Sequence, residues 1–123
     1  MSTLRTNTLQ DAIGNNSVTM ATVAAGTAKA WVNYNGTAQT IRANFNVSRI
    51  TWNSAGNYTV NFATALADSN YAVALSNSAA TGDANEINVI AGSFGGNPTL
   101  MTSTQLQVGG IPDTGMASII VFR

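Results

Sequence analysis

The segment Ile41-Arg-Ala-Asn-Phe-Asn-Val47 alternates apolar and polar residues without a break. The alternation resumes in Arg49-Ile-Thr-Trp-Asn53 and again in Tyr58-Thr-Val-Asn-Phe62. A period of two places every second side chain on one face of a strand. Ile41, Ala43, Phe45 and Val47 therefore share a face opposite Arg42, Asn44 and Asn46. Between the second and third runs lies Asn53-Ser-Ala-Gly-Asn57, a short glycine-containing hairpin loop. That hairpin sets Trp52 near Tyr58 and Ile50 near Val60, the kind of cross-strand pair that stabilises a sheet.

Working outward, alternation begins near residue 28 and returns in Tyr71–Leu75 and Leu100–Val108, while Glu86–Ile90 and Ala117–Phe122, which holds the apolar run Ile119–Phe122, read as further strands. Loops at Ser76–Asn85 and Gly109–Gly115 separate these runs. Short strands at such intervals predict an all-β domain over residues 28–123, an antiparallel β-sandwich or barrel-like fold. Residues 1–27 differ. Leu4, Leu9, Ile13, Val18, Met20 and Val23 are spaced out, Gly14–Ser17 reads as a turn, and Ala24–Thr27 reads as a linker. This is an extended N-terminal arm, too thin to fold alone, suited to ordering on a partner. Leu4, Leu9 and Ile13 are its candidate docking residues.

Composition narrows the function. The 123 residues carry five basic and five acidic side chains, no histidine and no cysteine. Charged residues are 8% of the chain, against about 25% in an ordinary domain. A third of the chain is Asn, Ser or Thr. Nucleic acid is disfavoured as a partner, because affinity for it rests on clustered basic residues. Without histidine, the usual general base and imidazole metal ligand are missing, and without cysteine there is no thiolate site. Of the acids, Asp83 and Glu86 are the one pair close in sequence, and Asp11, Asp68 and Asp113 sit in predicted turns. No enzyme activity, metal or cofactor is expected. The N-terminus has no basic segment followed by an apolar stretch, and no run is long enough to span a bilayer. The expectation is a protein made in a cytoplasm, without membrane insertion.

Much of the apolar content is alanine, which buries little area, so the large residues make a modest core. Association with copies of itself would relieve this shortage. Trp31, Phe45 and Trp52 are expected in the core, since each alternates with polar residues. The polar loops are the candidate recognition surface for a neutral ligand such as carbohydrate: Asn77, Asp83 and Asn85 in one, Asp113 and Thr114 in the other.

The stretch Lys29–Val73 resembles a module that recurs in tail-fibre and other virion proteins of phages infecting cyanobacteria and marine bacteria. The resemblance rests on Trp31, Val32, Asn33, Asn35, Gly36 and Thr37, then Ile41 and Arg42, then Asn46, Val47, Ser48, Ile50 and Thr51. It continues through Gly56 and Tyr58–Phe62 to Asp68, Asn70, Tyr71, Ala72 and Val73. Tyr34 stands where the module has Phe, Leu66-Ala67 where it has Met-Pro, and Trp52 where a polar turn residue is usual. The opening Thr3–Asp11 is similar to the segment that joins such modules to the particle. The resemblance implies a non-enzymatic virion component, a homotrimer, attached by its arm to tail, baseplate or capsid proteins. It implies a short tail fibre contacting a host-surface glycan, or alternatively a capsid decoration protein. A free carbohydrate-binding lectin is a further reading of the polar loops.

Overall fold

In the computed structural model, the described residues are 2–77, 88–89, 101–109 and 115–123. The chain is mostly antiparallel β. The arm opens with a hairpin of β1 (Thr8–Gln10) and β2 (Ser17–Thr19), followed by the helix α1 (Met20–Gly26). Then come β3 (Ala28–Asn35), β4 (Thr40–Phe45), β5 (Val47–Ser54), β6 (Asn57–Phe62), β7 (Ala72–Asn77), β8 (Asn88–Val89), β9 (Gln105–Gly109) and β10 (Ala117–Phe122). One sheet has the order β4-β3-β10-β7. The other runs β5-β6-β9, with the two-residue β8 added beside β9. Among the described residues neither sheet closes into a barrel.

The inner faces follow the alternation. Ala30, Val32 and Tyr34 of β3 and Ala117, Ile119 and Val121 of β10 are buried, and so are Tyr58, Val60 and Phe62 of β6 and Leu106 and Val108 of β9. These residues form one core together with Val47, Leu66 and Tyr71. Tyr34 from the first sheet meets Tyr58 from the second edge-to-face, with centroids 5.1 Å apart. Phe62 and Tyr71 meet in the same way at 5.9 Å. Such pairs contribute beyond the area they bury. Within β5-β6 the expected register holds: Trp52 lies opposite Tyr58 and Ile50 opposite Val60. The turn is tighter than expected. Ser54 already pairs with Asn57, and Gly56 takes a left-handed φ of 69° at the tip.

The run that predicts one strand, Ile41–Val47, is two. Asn46 has a φ of 54° and ends β4. Beyond it, β5 belongs to the other sheet. An L-residue other than Gly, Asn or Asp rarely adopts this conformation. The Asn46 side chain holds three segments around the corner. Its Nδ2 donates to the Lys29 carbonyl at 3.0 Å and the Thr64 carbonyl at 3.1 Å. Its Oδ1 accepts from the Thr64 amide at 2.7 Å, and its own carbonyl accepts from the Ala63 amide at 3.1 Å. The sheet switch therefore takes one residue, and the face shared by Ile41, Ala43, Phe45 and Val47 is broken there. Val47 is buried, whereas Phe45 is 53% exposed.

Two further expectations are corrected. In the predicted run Leu100–Val108, the described residues 101–108 are not one strand. The Thr102 hydroxyl accepts from the amides of Thr104 and Gln105, and Met101 bridges back to Leu106. This local turn competes with the ladder, as Ser and Thr hydroxyls do, so β9 starts at Gln105. Nor is Ala24–Thr27 a linker. Ala24, Ala25 and Gly26 finish α1, and the Thr27 hydroxyl caps it by donating to the Val23 carbonyl at 2.6 Å. The alanine-rich stretch favours a helix once Thr19 accepts from the Thr22 amide as its N-cap.

Candidate docking surfaces

The arm is ordered locally but buries nothing. None of residues 2–27 is buried, and Leu4, Leu9 and Ile13 are 82%, 43% and 78% exposed. Its hairpin turn is built by Asp11. The carboxylate accepts from the Asn15 amide at 2.9 Å and the Asn16 side chain at 2.8 Å, and the Asp11 amide donates to the Asn16 carbonyl. The Asn16 amide in particular holds the Asp11 carboxyl below its usual range. Gly14 supplies the left-handed residue, φ 81°. A lone two-stranded hairpin is marginal in water, and so is a helix of seven residues. The three exposed apolar residues that the spacing singles out thus lie on one uncovered segment, with a half-buried Val18 opposite Leu9.

Of the candidate loop residues, Asn77 is placed on a strand. It is the last residue of β7, opposite Ala117. Asp83, Asn85, Asp113 and Thr114 lie outside the described residues, as does Glu86.

The sheet faces carry a signal that alternation alone does not reveal. Phe45, Trp31, Ile120 and Ala74 lie directly opposite one another across all four strands of the first sheet. All four are exposed, at 53% for Phe45, 38% for Trp31 and 37% for Ile120. The expectation that Trp31 and Phe45 are core is therefore overturned. Ala30, Val32 and Tyr34 take the inward face of β3, and Trp31 is left outside. Trp52 does point to the core side, opposite Tyr58, but its edge-strand position beside the hairpin tip leaves it 45% exposed.

The outer face of the second sheet is different. Asn53 donates to Asn57 Oδ1 at 3.0 Å and to the Thr59 hydroxyl at 2.9 Å. Gln107 donates to Asn57 Oδ1 at 2.6 Å, and Asn61 to the Thr51 hydroxyl at 3.1 Å. These amides and hydroxyls satisfy one another across β5, β6 and β9. Asn53, Asn57, Asn61, Thr51 and Thr59 are occupied with one another and with Gln107 there.

A hollow of about 390 Å³ opens beside the Asn46 corner, lined by Thr27–Lys29, Phe45–Asn46, Ala65–Ala67 and Arg123. At its rim Arg123 forms a two-pronged ion pair with Asp68, through Nε at 2.8 Å and through Nη2. The Arg123 guanidinium, helped by the Asn70 amide, holds the Asp68 carboxyl below its usual range, and Arg123 is raised in return. Burial pushes the Tyr71 phenol up to about 12. Its hydroxyl donates to the Gln105 carbonyl at 3.1 Å. No group of three or more metal-ligating side chains occurs among the described residues. Among them, too, no helix is long and apolar enough to cross a membrane.

No protein-family model, curated protein or solved structure matches the chain.

Proposed function

We propose that this chain is a structural component of a phage virion: a short tail fibre, non-enzymatic and homotrimeric, with its two sheets packed as a β-sandwich. The arm joins it to tail or baseplate proteins through Leu4, Leu9 and Ile13, and the loops beyond the sheets contact a host-surface glycan. The observation that carries this reading is the arm. Its hairpin and capped helix bury none of their residues, yet elements of this size need a partner to persist. A chain that presents an apolar segment of this kind is built to be attached. The resemblance of Lys29–Val73 to tail-fibre modules supports tail or baseplate proteins as the partner class. The low charge fits packing among identical copies, which carry like charges to one another.

Imaging purified particles with a gold-labelled antibody to the chain tests the proposal. Label at the tail is expected. Label spread over the head would assign the same arm to capsid decoration instead. A chain absent from particles that binds saccharide on its own would be a free lectin.

A further inference from the structure

We propose that the outer face of the β4-β3-β10-β7 sheet is a self-association surface, occupied by a second copy of this chain. The inference rests on the homo-oligomeric reading above and assigns the face that such an oligomer uses.

The face has two complementary halves. On the β4 and β3 side, Phe45 and Trp31 stand out as an apolar ridge. On the β10 and β7 side, Ala74, Leu75, Ser76, Ser118 and Ile120 line a shallow hollow of about 110 Å³. It is smaller than the enclosed cavity of about 150 Å³ that holds a whole benzene ring, so it admits only the edge of an aromatic side chain. Ridge and hollow lie on the same surface of the same chain. The ridge half of one copy can therefore meet the hollow half of the next, the heterologous contact that a closed ring of three uses.

Charge points to the same occupant. The rows Ala43–Asn33–Ser118–Ser76 and Phe45–Trp31–Ile120–Ala74 contain no ionisable side chain. An identical partner brings like groups together, so charge on this face would oppose pairing. A differently charged partner would call for the reverse.

Area sets the strength. Four strands at about 4.8 Å spacing and about six residues at about 3.3 Å rise give a face of about 400 Å². A standard interface uses about 800 Å² per partner. Association through this face is therefore reversible and concentration-dependent in free solution. It becomes saturated where an attached arm holds copies side by side, by effective concentration.

Sedimentation velocity of the full chain, from about 10 µM to about 500 µM, reads the equilibrium. The wild-type chain is expected to self-associate across this range. Trp31→Asp and Ala74→Arg should each weaken association at least tenfold, with unchanged circular dichroism. Ala74 is an exposed edge-strand residue, so its variant remains informative if Trp31→Asp fails to fold. Leu9→Asp combined with Ile13→Asp should leave association intact. A wild-type chain that stays monomeric throughout overturns the inference. So does association lost with the arm variant but kept with Ala74→Arg. A monomer retained on immobilised saccharide through Trp31 would give the row to a glycan and also overturn it. Absence from virions would sink the proposed function while leaving a self-associating face in place.

Discussion

Replacing Asn46 tests the corner on which both sheets depend. Asn46→Ala removes two donated bonds and one accepted bond, at 3.0, 3.1 and 2.7 Å. Each is worth about 0.5–1 kcal/mol net at a half-exposed site, so the three together contribute about 2 kcal/mol. Alanine must also adopt the φ of 54°, at about 1 kcal/mol more than asparagine or glycine. The total is about 3 kcal/mol, a large part of the stability of a small domain. Asn46→Gly keeps the backbone conformation and loses only the side-chain bonds, so about 2 kcal/mol is expected. Urea unfolding followed by tryptophan fluorescence and circular dichroism measures both variants, with the slope checked for constancy. The expected order of stability is Asn, then Gly, then Ala. In a thermal melt the alanine variant should fall by about 10 °C or more. An alanine variant as stable as the glycine variant would refute the left-handed backbone argument. Either variant within about 0.5 kcal/mol of wild type would refute the hydrogen-bond argument.

Other substitutions separate inside from outside. Leu106→Ala, at a fully buried position, should cost about 3 kcal/mol, while Phe45→Ala on the outer face should cost less than about 1 kcal/mol in the dilute chain; equal losses in denaturant melts would contradict the placement. The depressed carboxyls of Asp68 and Asp11 make stability present above their unfolded-state values and lost as pH falls through the lower folded ones. Asp68→Asn should therefore flatten the decline in melting temperature below about pH 4, and an unchanged decline would show that the Arg123 pair does not contribute. Tyr71 works in the opposite direction. Its raised folded-state value, about 12, gives stability that is full below the ordinary phenol range near 10 and is lost as pH rises through it. Tyr71→Phe should blunt the alkaline loss, and identical alkaline melts for both chains would contradict the burial argument.

The strand order of the β5-β6 hairpin was legible because Trp52, Tyr58, Ile50 and Val60 repeat every second residue around a glycine. β10 was legible from the short apolar run Ile119–Phe122. Asn46 was less so. Alternation reads straight through it, since nothing in a period of two reports a single left-handed residue, although asparagine within a strand run is the one available hint. Trp31 and Phe45 misled because alternation says which residues share a face but not which face is covered. On β3 both sets contain apolar residues, and the smaller Ala30 and Val32 fit between the sheets. The turn at Thr102–Thr104 arose from a hydroxyl bonding nearby amides, a competition that hydrophobic pattern does not register. The exposure of Leu4, Leu9 and Ile13 was legible as apolar residues too sparse to make a core. The helix that follows was not, because Met20–Gly26 is mostly alanine and small residues without an apolar stripe.

The central claim is that this chain is a building part of a phage particle. Quantitative mass spectrometry of gradient-purified virions tests it most directly. The account predicts that the chain is present at a fixed copy number, a small multiple of three per particle. Its absence from purified particles, or recovery only in trace and variable amounts, would contradict the account.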